Sequence, residues 1–345
     1  MKKNIQPYYT SPVRQLLCLL LLPLTLSGCL FEEPEMTADG ELGVDPTEVS
    51  VMADITLNMK LTELETAHLR ARTATRGDAA YRHRFIVEAY MDDMATIRRV
   101  IYEDIHPDRT HLSVPVSMKL HARNYRLVVW ADYVKADSDA DWFYNTEIMD
   151  PLIATEPYQA NSEYKDAFHT VHALDLSKYR DQWNAKVPVK LELARPVARY
   201  ELVATDAAAF LKKHAGTEGN FTARIKYSHY LPVGFDALNK VPRHSLMYMS
   251  YKKTFALPAE GTKDFTIGVD YVFMGDEKKE IPIEVEITDP QGITVARTIL
   301  LVPCMKGKQT TVRDNFLTAD PSTTDEGVGI DPDFDDEMDM EVEVM

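Results

Sequence analysis

Cysteine is scarce in this chain, which has only Cys18, Cys29 and Cys304 among its 345 residues. The first two lie in an N-terminal segment typical of an export signal, so only Cys304 remains for the folded part. This excludes an intramolecular disulfide in the folded part, although the oxidising environment outside the cytosol would permit one. We expect Cys304 to be a small buried apolar residue and not a nucleophile.

Motifs for catalysis or metal binding are also missing. The sequence has no His-Glu-x-x-His, no Gly-x-Ser-x-Gly and no phosphate-binding glycine loop. His169 and His172 lack the Cys residues or second His pair that would complete a zinc site. Three alternating aspartates at 137–141 resemble the start of a calcium loop, but its sixth and twelfth positions hold Trp142 and Ile148 instead of Gly and Glu. The sequence therefore predicts a protein that is not an enzyme and needs no cofactor or metal.

Basic residues are fewer than acidic ones, 38 against 54, which gives a net charge of −16. Residues 320–345 contain eleven acids and neither Lys nor Arg. Because like charges repel, such a chain should avoid nucleic acid and anionic lipid. We expect no nucleic-acid partner.

The N-terminus has the layout of a secretory signal, in which positive residues precede an apolar stretch at 16–26. A membrane-spanning helix needs about 20 apolar residues, so this shorter stretch fits a cleaved signal peptide. It ends in Leu-Ser-Gly-Cys, a pattern in which the cysteine is lipidated before cleavage. We predict that residues 1–28 are a lipoprotein signal peptide and that Cys29 carries acyl chains anchored in the outer membrane. An ordinary signal peptide with a chance cysteine is the alternative.

An acidic segment follows Cys29. No aspartate stands directly after the cysteine, so the common inner-membrane retention signal is absent, and residues 30–35 read Leu-Phe-Glu-Glu-Pro-Glu. Such a cluster either directs export to the cell surface or is only a solvated tether. We interpret 29–47 as an acidic tether and expect a surface-exposed location.

Alternation of apolar and polar residues, typical of half-buried strands, dominates the first half of the chain. It predicts strands at 49–61, 85–91, 112–120, 125–134 and 187–193. The segment 136–172 lacks this pattern and is interpreted as a long loop with at most a helical turn.

A second unit begins near Arg195-Pro196. Predicted strands lie at 197–204, 221–230, 246–255, 265–273, 281–287 and 293–302, with a last one ending at 317. Asp206 is the expected N-cap of a short helix at 207–214, and residues 289–292 form a turn signal. Many short strands with few helices predict an all-β fold of two β-sandwich domains in series, with one short helix and a C-terminal β tail.

The C-terminal tail alternates apolar and acidic residues. A strand with one apolar face should add to a sheet edge, of its own domain or of a neighbouring molecule. The alternative is a disordered acidic tail. The apolar residues of this candidate donor strand are Phe334, Met338, Met340, Val342 and Val344.

Several segments together resemble the fimbrillin-like surface lipoproteins of type V pili. They are residues 130–134 (WADYV), 141–146 (DWFYNT), 164–168 (YKDAF), 195–202 (RPVARYEL), 302–318 and 329–334. Their order and spacing behind a lipid-attachment motif extend the resemblance from about residue 45 to the end of the chain. The sequence departs from the family pattern at 304–308 and at Asp314, where turns are expected.

The resemblance implies two transthyretin-like β-sandwich domains and assembly by strand exchange. In that mechanism a surface protease trims the lipoprotein near its first strand, and a strand of another pilin subunit fills the groove. In this sequence the linker after the first strand makes Arg70, Arg72 and Arg76 candidate processing sites. Ordinary arginines of a mobile loop are the alternative. The implied partners are the outer membrane, other pilin subunits and a surface protease.

Two functions follow. The first is a lipid-anchored structural protein of the outer membrane surface or fimbrium, which acts in pilus assembly, anchoring or adhesion. The second is a surface lipoprotein that binds a glycan or a host ligand through exposed aromatics, for which Trp142, Phe143, Tyr144 and Tyr158 are candidates. The predicted organisation is a signal peptide at 1–28, a tether at 29–47, sandwich domains at 48–194 and 195–318, and an acidic tail at 319–345.

Overall fold

Strands make up most of the computed structural model, which describes residues 45–61, 81–106, 109–321, 329–331, 333–334 and 336–337. Within these ranges the one α-helix is α1, Ala207–Lys213. The predicted all-β class is confirmed. Within the same ranges, no helix has the length and apolar content needed to cross a bilayer.

Two sheets face each other in the first half of the chain. Its strands are β1 Ser50–Lys60, β2 Tyr81–Met91, β3 Met94–Asp104, β4 His111–His121, β5 Asn124–Lys135, β6 Tyr144–Asn145, β7 Leu152–Ala154, β8 Phe168–Asp175 and β9 Ala185–Leu193. One sheet has the order β4-β1-β9 and the other β3-β2-β5-β8. Their inner faces share one apolar core, which includes Ile55, Phe85 and Val129. We call this unit the first sandwich.

The second half repeats this arrangement. Its strands are β10 Val197–Ala204, β11 Phe221–Tyr227, β12 Leu231–Asp236, β13 Val241–Leu246, β14 Ser250–Phe255, β15 Phe265–Phe273, β16 Lys279–Thr288, β17 Thr294–Cys304, β18 Gln309–Asp314, β19 Gly329–Asp331, β20 Asp333–Phe334 and β21 Asp336–Glu337. The sheets β15-β10-β18-β19 and β14-β11-β16-β17 enclose a second apolar core. We call this unit the second sandwich.

The two sandwiches share one strand topology. In the first, β1 runs antiparallel to β4 and parallel to β9. In the second, β10 runs antiparallel to β15 and parallel to β18. β1 and β10 are therefore counterparts, and so are β9 and β18.

A third apolar cluster joins the sandwiches. The short strands β6 and β7 pair with β12 and β13 in a sheet that combines both halves of the chain. Beneath it lies the fully buried ring of Trp130, which meets Tyr144 edge-on at 5.3 Å between centroids. Phe235 and Phe273 from the second half pack on the same indole. The segment 136–172 thus belongs to the joint between the sandwiches.

Several sequence expectations are corrected. The segment 136–172 contains β6, β7 and the start of β8, so its interpretation as a long loop was wrong in part. β3 and the β12–β13 hairpin were not predicted. Asp206 stands at the N-cap position of α1, as predicted, but its carboxylate makes no capping bond and instead accepts hydrogen bonds from the backbone N–H groups of Leu317 and Thr318. It therefore ties the helix start to the end of the second sandwich.

Candidate functional site

β1 occupies the middle of its sheet and supplies much of the first core. The alternate residues of its segment point inward, and none of them exposes more than 3% of its surface: Val49, Val51, Ala53, Ile55, Leu57, Met59 and Leu61. Burying a Val, Ile, Leu or Met side chain stabilises by roughly 1.5–3 kcal/mol, so the six larger residues together contribute roughly 9–18 kcal/mol. A sheet without β1 would present an apolar groove.

Hydrogen bonds leave β1 on both sides. The N–H of Ala122 donates to the carbonyl of Val49, and the N–H of Leu61 donates to that of Thr110, both at 2.8 Å. These bonds place the backbone groups of odd-numbered β1 residues toward β4, so the even-numbered ones face β9. Removal of β1 would therefore leave two rows of unpaired groups, one on each flank.

Prolines stand on both flanking strands. Pro115 of β4 lies opposite Thr56, and Pro188 of β9 lies opposite Asp54. By the alternation above, both ring nitrogens point away from β1, toward the outer edges of the sheet. Because proline has no N–H, it interrupts the row of donors that an added strand would need. The sheet is thus protected at its edges, and its middle position is the one suited to a replacement strand.

The second sandwich differs at the same places. β18, the counterpart of β9, has no proline, and its outer edge pairs with β19 through Val312 and Ile330. The edge of β15 is covered by Asn161, whose N–H donates to the Val269 carbonyl at 2.9 Å. Its side-chain oxygen accepts from the Val269 N–H at 3.1 Å. The outer side of β18 is therefore paired with β19, and β15 is bonded to Asn161 at Val269.

Buried charges hold the joint between the sandwiches. Lys165 Nζ lies 2.6 Å from Asp270 Oδ1, and both side chains are almost fully buried. Tyr158 and Tyr227 donate their hydroxyls to Asp270 Oδ2 at 2.6 and 2.5 Å. Burial lowers the pKa of Lys165, while Asp270 opposes this shift. This buried, hydrogen-bonded cluster is suited to fixing the two units.

A second set of ion pairs strengthens the joint. Arg199 donates from Nη2 and Nε to the two carboxylate oxygens of Glu163, at 2.8 and 3.0 Å. Arg195 pairs with Asp166 at 2.9 Å. Glu163 and Asp166 belong to the segment before β8, whereas both arginines flank or lie in β10. The chain therefore crosses between the sandwiches through bonded, buried groups.

The predicted lipidation and processing sites fall elsewhere. Cys29, Arg70, Arg72 and Arg76 lie outside the described residues. The linker that contains the three arginines directly follows β1. Lipidation and cleavage therefore stay predictions.

The predicted donor strand is described only at its start. Phe334 lies in β20, which pairs with β21. The other apolar residues of that strand lie outside the described residues: Met338, Met340, Val342 and Val344. The tail segment β19 adds to its own second sandwich.

Cys304 is buried with 1% of its surface exposed, as predicted. Burial raises the pKa of its thiol to about 12, so the thiolate is not available for nucleophilic chemistry. His169 is buried too, and its Nε2 lies 2.6 Å from the Ala237 carbonyl. Burial lowers the pKa of His169 to about 4, so the neutral ring donates this bond.

Two of the three aspartates of the calcium-like segment pair with arginines. Asp141 Oδ1 lies 2.5 Å from Arg84 Nη1, and Asp139 pairs with Arg82. Among the described residues, no three His, Cys, Asp or Glu side chains gather where they could hold a metal ion.

The aromatics expected to bind a glycan are packing residues. Phe143 and Tyr144 expose 3% and 1% of their surfaces. The Tyr144 hydroxyl donates to the Lys165 carbonyl at 2.6 Å, and Tyr158 is held by Asp270. Trp142 is half-buried against Lys135. The expectation of an exposed aromatic surface in this segment was wrong, because these rings form the joint.

The described residues define an all-β protein of two sandwich-like units, in which one sheet is completed by a strand that precedes a separate linker. A family model described as a family of unknown function (DUF6562) matches residues 46–344, and the chain belongs to that family. No curated protein matches the chain.

Several solved structures are similar to this chain. One is provisionally described as a cell adhesion protein from Bacteroides ovatus, with 13% identity, a TM-score of 0.41, and coverage of 81% of this chain and 95% of that one. The fimbrial anchor protein Mfa2 from Porphyromonas gingivalis has 10% identity and a TM-score of 0.38, over 76% and 90%. The tip fimbrial protein Mfa3 from the same organism, with a C-terminal truncation, has 9% identity and a TM-score of 0.38, over 82% and 98%.

Proposed function

We propose that this chain is a lipid-anchored structural protein of the bacterial outer surface, which acts in pilus assembly, anchoring or adhesion by exchanging a β-strand with another subunit. The observation that carries the proposal is the position of β1. It fills the middle of a sheet whose two edges are blocked by proline, and the linker that follows it contains Arg70, Arg72 and Arg76.

The energetics favour exchange over simple loss of the strand. A sandwich without β1 loses seven buried side chains and two rows of hydrogen bonds, so an empty groove is unstable. A second strand with the same alternation restores both. The acidic tail, with Met338, Met340, Val342 and Val344, has that alternation.

The proposed membrane anchor is the lipid on Cys29, near the N-terminus. Lipid on Cys29 would hold the uncut chain at the outer membrane, and a cut in the linker would release lipid and β1 together from the rest of the chain. An uncut protein is therefore an anchor and a cut protein is a polymer-competent subunit.

The test compares purified chain that is intact with chain cut once in the linker. We expect the cut protein to form polymers that resist dilution, seen by electron microscopy and sedimentation. A matched control carries Asn58→Cys and Ser113→Cys, which lie directly opposite each other on β1 and β4. Its disulfide should prevent polymers after cutting, and a reducing agent should restore them. If cut protein neither polymerises nor joins a second pilin-like subunit, the strand-exchange proposal is wrong.

Processing and lipidation have separate readouts. Labelled palmitate should appear on the wild-type protein and not on Cys29→Ala. N-terminal sequencing of protein from the cell surface should give a start at Cys29 for an anchor, and a start near Ala71, Thr73 or Gly77 for a processed subunit. Absence of label on the wild type would remove the anchor from the proposal.

A further inference from the structure

Lysines line both flanks of the β1 position on the outward face of the sheet. Lys119 of β4 and Lys186 of β9 both stand opposite Met52, and Lys190 of β9 stands opposite Thr56. All three are exposed. Within the described part of the chain, none of them forms an ion pair.

β1 does not match this charge. Its outward residues at the three central positions are Met52, Asp54 and Thr56, so the strand offers one acid between three lysines. Asp54 accepts a hydrogen bond from Ser117 Oγ at 2.9 Å and does not lie opposite any of the lysines. Opposite charges directly across two strands stabilise a sheet. A strand with acids at positions 52 and 56 would therefore suit these flanks better than β1 does.

The C-terminal tail has such a pattern. Asp339, Glu341 and Glu343 alternate with apolar residues, so the acids share one face and the apolar residues the other. With the tail in the direction of β1 and Asp339 at position 52, Glu341 lies at 54 and Glu343 at 56. The apolar residues then occupy positions 51, 53, 55 and 57, which face the core.

Charge selects this register among those that keep the apolar face inward. A shift of two residues toward the end of β1 would place Glu343 at position 58, opposite Glu192, where like charges repel. A shift of two residues the other way would place Met345 at position 56 and leave Lys190 without an acid opposite. The favoured register places Met340 in the slot of Ala53, and the unbranched methionine chain can adapt to a narrow space.

We propose that Lys119, Lys186 and Lys190 select the acidic tail of a second copy of this chain and set its register in the β1 position. This inference rests on the proposed strand exchange and adds its partner and its recognition element. A second copy is the occupant because the tail is attached at the second sandwich, where β19 pairs with β18, whereas the groove lies in the first.

The test uses the chain cut once in the linker and refolded from urea with a fluorescent peptide of residues 336–345. A second peptide carries Asp339→Asn, Glu341→Gln and Glu343→Gln. On wild-type protein at low salt, we expect the acidic peptide to bind about tenfold more tightly than the neutral one by anisotropy. The preference should shrink in 0.5 M salt, since exposed charges are screened.

The lysines are tested by the triple variant Lys119→Gln, Lys186→Gln and Lys190→Gln, in which the preference should disappear. The matched control changes exposed lysines of the second sandwich, Lys212→Gln, Lys213→Gln and Lys263→Gln, and should keep it. If both peptides bind wild-type protein equally well, the lysine inference is overturned while strand exchange stands. If neither peptide binds, the tail is not the occupant of the β1 position and the inference is overturned, whereas strand exchange is decided by the polymerisation of the cut protein.

The register has its own readout in the full chain. Ser117→Cys should form a disulfide with Glu341→Cys, because Ser117 lies opposite position 54. Ser113→Cys, opposite position 58, should cross-link poorly to the same residue. With both cysteines on one cut chain, we expect a ladder of disulfide-linked multimers. A cross-linked monomer would overturn the second copy as occupant, and preference for Ser113→Cys would overturn the register.

Discussion

One buried histidine should make the stability of this protein depend on pH. Burial lowers the pKa of His169 to about 4, whereas an exposed histidine has a pKa near 6.5. The unfolded chain therefore takes up a proton as the pH falls below about 6.5, and the folded chain does so only near 4. Stability from this group is complete above pH 6.5 and is lost as the pH falls toward 4, by about 2 kcal/mol between pH 7.5 and pH 5.

Urea unfolding of wild type and His169→Gln at both pH values measures this contribution. Glutamine keeps a donor for the Ala237 carbonyl and does not titrate. The variant should lose about 2 kcal/mol less than the wild type between the two pH values. Equal losses in both proteins would exclude His169 as the source.

Removing only one partner of the buried ion pair at the joint should lower the stability of the protein strongly. Asp270→Asn leaves the buried Lys165 without a counter-charge, and such changes cost about 3–5 kcal/mol. The control is Asp276→Asn, which breaks an exposed pair with Lys306 and should change stability far less, because water screens exposed charges. Denaturant titration of both variants measures the free energies. Similar losses in the free energy of unfolding for the two variants would show that the buried pair contributes no more to stability than the exposed pair.

At the scale of elements, the edge prolines should keep the first sandwich from associating sideways. Pro188→Val restores an N–H on the outer edge of β9, and valine favours strands. We expect this variant to form more dimers than the wild type in sedimentation velocity runs. Thr56→Val adds the same side chain on the middle strand without opening an edge, and should behave like the wild type. An unchanged monomer fraction in Pro188→Val would mean that another feature protects this edge.

Elements with regular alternation could be predicted, and the others could not. The predicted strand at 49–61 agrees with β1, because one face of that strand is apolar and buried. The predicted strand at 125–134 agrees with β5, because most of its side chains are buried on both faces. β3 was missed since its side chains are exposed or half-buried throughout, which leaves no clear period. The short strands β12 and β13 contain Pro232 and Pro242, which argue against strands in a sequence.

The candidate site was predictable only as a set of separate segments. Alternation indicated that β1 is a strand and that the tail has one apolar face, but not which strands lie beside β1. Its neighbours come from residues about 60 and 130 positions away, and their register sets the lysines beside Met52. The pair of Lys165 and Asp270 spans 105 residues, and no local pattern signals it.

The whole molecule should unfold as one unit because the joint is a core of its own. Trp130 is fully buried between the first sandwich and Phe235 and Phe273 of the second. Replacing it by alanine removes about 3–5 kcal/mol of packing from the contact that couples the two units. Differential scanning calorimetry should therefore show one transition for wild type and two for Trp130→Ala.

The matched variant Phe221→Ala removes a fully buried ring from the second core alone. It should lower the transition temperature by a similar loss of packing, yet keep a single transition, since the joint is intact. A single transition in both variants would mean that the buried ion pairs couple the sandwiches without the indole. Two transitions in both variants would mean that the two sandwiches unfold independently once either is weakened. That result would contradict cooperative unfolding of the whole molecule through the joint.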